Sequence, residues 1–408
     1  MIREGAQSQL VVTGCGTINA LGRDVESFWA RLVQGAGGIR VIPNCFRASP
    51  DVLAAAVTDP LPSVDIDGPV SRTDRLALIA AEEAIHQASL TERHNRARVG
   101  IVLGTTTGGI REVEDSLVER GAGKASRLAR LLVFEMANAS DVLAERFGLS
   151  GPRYTLHTAC ASGASAILLG AELILGGMAD AVLAGGSDAL TRLTLSGFRS
   201  LRALDPEPCR PFAKDRRGMS LGEGAGFVVL EDAARAASRG VRPYAELAGY
   251  GLTTDAYHMT APRPDAEGSI RAMIDALDRA RIPAALVGYV NAHGTGTLQN
   301  DRVEALALRK VFDPDAVLVS ASKSLVGHTM AAAGALEGIA TILALVHGLV
   351  PPTAHLAEPD PEIPFDCVPM NARRVTLECA MSNSFGFGGQ NLSLVFRTVP
   401  DGRAPHAS

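Results

Sequence analysis

The chain has 408 residues, 47% of them hydrophobic and 20% charged, with 42 glycines and a net charge of −5; that suits a small-residue-rich α/β protein of two or three domains. The acidic balance and the 4% of aromatic residues argue against nucleic acid as a main partner. Six scattered cysteines, with no CxxC pair and no metal-ligand spacing, read as reduced thiols of a cytoplasmic protein rather than as a disulfide framework or a metal site.

In chain order, Gln9–Gly16 reads as a strand running into a glycine turn, and Asp24–Gln34 as a helix closed by Gly35. Residues 43–72 are rich in Pro, Asp and Ser and predict loop, after which Thr73–Leu90 carries helical periodicity. Val99–Gly104 is a short apolar strand ending in the Thr105–Ile110 corner, and residues 110–147 hold two or three helices interrupted near Gly121–Gly123. Tyr154–Leu156 is a strand, Ala161–Leu175 a helix apolar all round, and Ala181–Ala184 and Gly226–Leu230 are strands on either side of a charged loop. A second series begins near Arg242. It has strands at Tyr244–Gly251, Val287–Asn291, Ala316–Ser320, Met381–Ser384 and Leu392–Arg397, and helices at Ser269–Ala280, Asn300–Val311 and Met330–His347. Strands alternating with helices of this length predict parallel sheets covered on both faces, divided into halves at 1–241 and 242–408. Nothing before Leu10 reads as a signal peptide, and apolar runs such as Ile339–Val346 are too short to span a bilayer.

Four segments carry chemistry. Cys160 stands between the Tyr154 strand and the Ala161 helix, crowded by small residues. A helix N-terminus there offers free N–H groups and a favourable dipole, which predicts a lowered thiol pKa and a nucleophile. In NAHGTGTLQNDRVE, His293 ends a predicted strand, where open α/β sheets bind ligands, with the hydroxyls of Thr295 and Thr297 beside it. In SASKSLVGHTMAAAG, Lys323 and His328 flank a turn, and in NSFGFGGQN three glycines surround Phe385 and Phe387, suiting a loop that brings N–H donors to an oxyanion. A buried structural cysteine, a satisfied histidine, a solvated lysine and a tight hairpin explain each segment singly. Together, however, the four describe a thioester site.

TACASGAS, NAHGTGT, KSLVGH and NSFGFGG resemble, in order and separation, the motifs of the β-ketoacyl-acyl carrier protein synthases, over about Val11–Phe396. DAYHMTAP (Asp255–Pro262) and LGEGAGFVVLE (Leu221–Glu231) resemble the type II elongating enzymes. The resemblance implies a thiolase-like fold, two βαβαβαβ halves in an αβαβα layering. It implies decarboxylative condensation of an acyl chain on Cys160 with malonyl-acyl carrier protein, in fatty acid or polyketide synthesis. Substrates would ride on the carrier's phosphopantetheine arm, with no free cofactor and no metal. His293 and His328 would stabilise the enolate, and Lys323 would hold His328 in an ionic cluster with Glu304 and Asp301. Thr295 and Thr297 would bind the pantetheine arm. The gate would be Phe387, its N–H forming an oxyanion hole with that of Cys160. A homodimer is implied, or a heterodimer with a chain-length-factor-like subunit; a non-catalytic partner subunit, which lacks the nucleophile, and a thiolase fit less well. Arg72, Arg75, Lys124, Arg127 and Arg130 form two basic clusters that could dock an acidic carrier. The chain departs from the family's usual pattern in RPFAKDRRGMS, at Ala213, Arg217 and Met219, and the Thr105–Ile110 corner falls where the family lines its acyl pocket.

Overall fold

The structure, a computed structural model, describes residues 9–46, 50–64, 66, 68–124, 128–400 and 402. Among these the strands are β1 (Leu10–Asn19), β2 (Arg40–Ile42), β3 (Val52–Ala54), β4 (Val99–Gly104), β5 (Arg153–Leu156), β6 (Ala181–Asp188), β7 (Gly224–Asp232), β8 (Ala245–Thr254), β9 (Val287–Asn291), β10 (Leu318–Ser320), β11 (Leu349–Val350), β12 (Arg373–Arg374), β13 (Cys379–Gly386) and β14 (Gln390–Arg397). Ten of them join in the order β10-β9-β13-β14-β8-β1-β7-β6-β4-β5.

The two sets of five repeat each other. β1 pairs antiparallel with β7, β7 antiparallel with β6, and β6, β4 and β5 run parallel. In the same way β8 pairs antiparallel with β14, β14 antiparallel with β13, and β13, β9 and β10 run parallel. Among the described residues the halves meet in the sheet only where Val11 and Val12 of β1 oppose Glu246 and Ala245 of β8. Helix Arg72–Ala88 covers the outer face of the first half and helix Glu267–Ala280 that of the second. Between the halves lie helices Ser162–Leu175 and Ala333–His347, each touching strands of both. This gives the five expected layers, α-β-α-β-α.

The two central helices begin alike. Each follows a one-turn 3₁₀ segment, Ala159–Ala161 or Met330–Ala332. Each segment opens on a non-glycine residue with positive φ, 48° at Ala159 and 54° at Met330. Such a backbone costs energy for an L-residue and turns the chain sharply. The helices approach closely because glycines face the contact. A Cβ on Gly163 would lie 2.6 Å from the Ala331 carbonyl oxygen, and one on Gly334 2.8 Å from Ala164.

The expected elements are present with boundaries shifted by a few residues, and two differences are instructive. The predicted loop over 43–72 contains β3, paired with β2, because three-residue strands carry no readable periodicity. Contrary to the expectation of no membrane-length apolar run, Met330–His347 is long and apolar enough to cross a bilayer. It is instead a core helix, with Ala333–Leu345 buried. A helix hydrophobic on every side needs cover on every side, and here the two half-sheets supply it.

If the close helix contact is what holds the central layer, Gly163→Ala should destabilise the protein by about 1–3 kcal/mol through overpacking. Gly197 lies in helix Arg192–Ser200 with nothing within 4 Å of an added Cβ. Gly197→Ala should therefore be neutral or stabilising, and urea denaturation of the two variants separates the cases.

Candidate active site

Cys160 sits in the first 3₁₀ turn, 5% exposed, at the start of helix Ser162–Leu175. Its turn is tied locally: the Thr158 N–H donates to Ser162 Oγ (2.9 Å), and that hydroxyl donates to the Ala159 carbonyl (2.6 Å). The second elbow is tied to the first half by Asp188, at the end of β6. Asp188 accepts from the Ala331 N–H (2.8 Å) and from the hydroxyls of Thr105, Thr106 and Thr107.

His293 follows β9 and is held by its backbone. Its N–H and that of Gly294 donate to the two Glu304 oxygens, both at 2.8 Å. Thr295 and Gly296 N–H donate to Asp301 Oδ1, and Phe212 N–H to Asp301 Oδ2. Helix Leu298–Val311 thus reaches back with two buried carboxylates to fix the turn that precedes it. Glycine is required in that turn: φ is +34° at Gly294 and +82° at Gly296, and an added Cβ would meet Ala321 at 2.5 Å or the Gly218 carbonyl oxygen at 2.6 Å.

The tautomers of both histidines follow from their Nδ1 partners. Lys323 Nζ lies 3.1 Å from His293 Nδ1 and 2.7 Å from its carbonyl oxygen, and pairs with Glu337. An ammonium can only donate, so His293 Nδ1 accepts and the ring proton rests on Nε2. The Met330 N–H donates to His328 Nδ1 (3.2 Å), which likewise leaves His328 with an Nε2–H donor, buried and without a partner among the described residues. Burial first, and the Lys323 charge second, hold both imidazoles well below their usual pKa, so both are neutral. The rings meet edge to face, with centroids 5.6 Å apart.

One cavity of about 370 Å³ gathers Cys160, His293, His328, Thr295, Thr297 and Phe387 on its wall. The Thr295 and Thr297 hydroxyls are 2.9 Å apart. The Phe387 backbone N–H faces the Cys160 thiol closely enough to favour its anion, and the Phe387 ring packs on Phe198 with centroids 5.6 Å apart. Gly386 keeps the approach clear, since a Cβ there would sit 3.3 Å from the Cys160 nitrogen.

Several expectations need correction. The Cys160 thiol is not acidified. Burial pushes it up to about 11, against the pull of Lys323 and the Phe387 N–H. The carboxylate paired with Lys323 is Glu337, and the imidazole it touches is that of His293, not His328. Glu304 and Asp301 are engaged with backbone N–H groups, and burial raises both, Glu304 to about 7. Glu337, likewise pushed to about 7 by burial, had a readable signal: it is the one acidic residue in the apolar run Ala333–His347, and a charge there requires a partner. Asp188 carried no such mark. None of Thr105–Ile110 lines the cavity as described. Of the basic clusters, Arg72 is drawn into a bidentate bond with buried Glu223, Arg130 pairs with Glu119 at 2.9 Å, and Arg127 lies outside the described residues. Arg75 and Lys124 are exposed.

A protonated buried thiol has a recognisable pH profile. The rate of Cys160 alkylation by iodoacetamide should climb steadily from pH 7 to 9, by about tenfold per unit, because thiolate is the nucleophile and its fraction grows until pH passes the pKa. A cysteine acidified by its helix would plateau instead. Peptide mapping should place the first label on Cys160, the cysteine that lines the cavity.

Known proteins match this chain along its length. The models of the "Beta-ketoacyl synthase, N-terminal domain" and "Beta-ketoacyl synthase, C-terminal domain" match residues 7–236 and 244–357. The chain is 38% identical over 411 residues to 3-oxoacyl-[acyl-carrier-protein] synthase 2 of Synechocystis sp., covering 96% of this chain and 98% of that protein. Among solved structures, the ishigamide ketosynthase/chain length factor superposes with a TM-score of 0.91 at 35% identity, over 97% of this chain and 100% of that one. A type II polyketide ketosynthase in complex with its acyl-carrier protein and bound to the hexaketide gives 0.88 at 30% identity, over 97% and 100%.

Proposed function

The chain belongs to the β-ketoacyl synthase family, and from that membership and the geometry of the cavity we propose that it condenses an acyl group carried on Cys160 with malonyl-acyl carrier protein, releasing carbon dioxide and a β-ketoacyl-carrier protein. The observation that carries this reading is a buried cysteine sharing one cavity with two neutral histidines whose Nε2–H groups are donors.

In the first step Cys160 Sγ attacks the thioester carbonyl of an acyl-carrier protein. The Cys160 and Phe387 N–H groups meet the oxyanion, the carbon–sulfur bond to the pantetheine breaks, and the cysteine's proton leaves with that thiol. Malonyl thioester then enters with its arm along Thr295 and Thr297. The Nε2–H groups of His293 and His328 bond its carbonyl oxygen, so that loss of carbon dioxide leaves an enolate held by two dipoles. The enolate carbon attacks the acyl-Cys160 carbonyl, the carbon–sulfur bond to Cys160 breaks, and the departing thiolate takes a proton from solvent to restore the thiol. Lys323 and Glu337 are positioning residues, acting through His293. Substrates arrive on a phosphopantetheine arm, and no further cofactor is invoked. The enzyme works in the cytoplasm, in fatty acid synthesis or in polyketide synthesis; similarity to ketosynthase/chain-length-factor assemblies favours keeping a partner subunit as the second reading.

A pair of subunits joined at β5 completes the proposal. β5 is the end strand of the sheet, its outer edge unpaired among the described residues. Tyr154 on that strand is exposed, as are Leu117 in helix Ile110–Gly121 and Leu132 and Phe134 in the turn Leu128–Phe134. An open edge beside apolar side chains is covered in stable proteins, here by the same edge of a second copy or of a related subunit.

Three sets of variants test this reading. Cys160→Ala should abolish condensation while leaving the fold intact, and Cys160→Gln should retain malonyl decarboxylation. His293→Ala and His328→Ala should each keep acylation of Cys160 but lose decarboxylation by about 10²–10³. Condensation by Cys160→Ala, or wild-type decarboxylation in either histidine variant, would refute the assignment. Tyr154→Lys with Leu132→Glu should shift the protein to monomer in light scattering; an unchanged mass would place the subunit contact elsewhere.

A further inference from the structure

Asp188 is fully buried at the end of β6, and no step of the reaction above uses it. Its two oxygens divide their partners. Oδ1 accepts from the Thr105 and Thr107 hydroxyls and from the Thr106 and Thr107 N–H groups, at 2.8–2.9 Å. Oδ2 accepts from the Thr106 hydroxyl (2.5 Å), more distantly from the Thr106 N–H (3.2 Å), and from the Ala331 N–H (2.8 Å). Oδ1 thus serves a corner of its own half, while Oδ2 also reaches across to the second half.

Ala331 is held from its other side as well. Its carbonyl oxygen is packed so closely that an added Cβ would lie 2.6 Å away on Gly163 and 2.4 Å away on Gly186. Next to it stands Met330, with φ at 54°. The two peptide groups that share the Met330 Cα each make one bond: the Ala331 N–H to Asp188, and the Met330 N–H to His328 Nδ1 at 3.2 Å. A non-glycine residue keeps a positive φ only while its surroundings enforce it. Once the Ala331 N–H is released, Met330 can relax, and its N–H turns away from His328. The imidazole is then free to carry its proton on Nδ1 and to present a bare Nε2 to the cavity.

We propose that Asp188 is a positioning residue for the condensation: by holding Ala331 it keeps the Met330 N–H on His328 Nδ1, and with it the His328 proton on Nε2. The inference rests on the reading of His328 as a donor to the enolate oxygen. An asparagine at this position would separate the two functions of the carboxylate. Its single oxygen replaces Oδ1 and keeps the bonds to the threonine corner. Its amide nitrogen replaces Oδ2, where the Thr106 hydroxyl can turn to accept but the Ala331 N–H cannot.

The test reads the two half-reactions apart: acylation of Cys160 by acyl-carrier protein, followed by intact mass spectrometry, and release of carbon dioxide from malonyl-carrier protein. Asp188→Asn should lose decarboxylation by about 10-fold or more, as a misplaced catalytic group does, with acylation within about two-fold of wild type. Thr73→Val controls for loosened packing. It removes the bonds of the buried Thr73 hydroxyl to the Gly108 carbonyl and to the Ala189 N–H beside Asp188, and should lower thermal stability without separating the half-reactions. Should Asp188→Asn not fold, replacing the Ala331 amide by an ester removes the same donor alone and should give the same split. Equal loss of both half-reactions, or wild-type decarboxylation, overturns the inference. His328→Ala tells its failure from that of the reading beneath it. Decarboxylation lost in His328→Ala but kept in Asp188→Asn overturns the positioning role alone, and decarboxylation kept in both overturns the role of His328 as well.

Discussion

The buried ion pair of Lys323 and Glu337 is the constraint on which the rest of the site depends. All three ammonium protons have acceptors: Glu337, the His293 carbonyl and His293 Nδ1. A fully buried charge survives only when paired and hydrogen-bonded in this way, since desolvation otherwise costs several kcal/mol. Glu337 lies one turn into helix Ala333–His347, and Lys323 opens the short helical turn after β10. The pair therefore pins the second elbow to the end of β9 and dictates which nitrogen of His293 carries the proton. Removing either member would leave the other charge stranded and the histidine free to change tautomer.

The duplicated architecture explains why such a pair can exist. Each half delivers one strained 3₁₀ elbow and one apolar helix to the middle layer, and the two helices close on Gly163 and Gly334. In the first half the elbow presents Cys160; in the second, the corresponding Ala331 gives its N–H to Asp188. One copy supplies Cys160, the proposed nucleophile, while the other copy's elbow anchors His328 through Met330. The strain at Ala159 and Met330 is tolerated because the surrounding bonds fix both turns, as strained positions in functional sites require.

Much of this was legible in the sequence because its signals were local. Small residues around Cys160, glycines beside His293 and Phe387, and strand–helix alternation all report on their own neighbourhoods, and they located the cavity's wall correctly. What failed was long-range electrostatics. A helix N-terminus suggests an acidified thiol, yet burial outweighs it at Cys160. Glu304 and Asp301, close to His293 in sequence, seemed natural partners for a lysine, but they serve backbone N–H groups, those of His293 and Gly294 for Glu304 and those of Thr295, Gly296 and the distant Phe212 for Asp301, and a glutamate on a different helix takes the lysine. Pairing across 143 residues, as between Asp188 and Ala331, leaves no trace in spacing.

Burial acts on Cys160, Glu304, Glu337 and the two histidines in the same direction, toward neutrality. It raises Cys160, Glu304 and Glu337 and lowers His293 and His328. For an acid–base enzyme that would be a handicap, but for a carbanion it is an advantage. An enolate beside an imidazolium would be protonated and lost. Beside a neutral imidazole it meets an N–H dipole aimed at its oxygen, in a medium of low dielectric where that dipole is worth most. The single ammonium stands behind His293, at Nδ1, so its field reaches the oxyanion through the ring while its protons stay committed to other acceptors. In the proposed reaction the same arrangement keeps Cys160 a thiol until a thioester arrives, when charge passes from sulfur to an oxygen that the Cys160 and Phe387 N–H groups would hold.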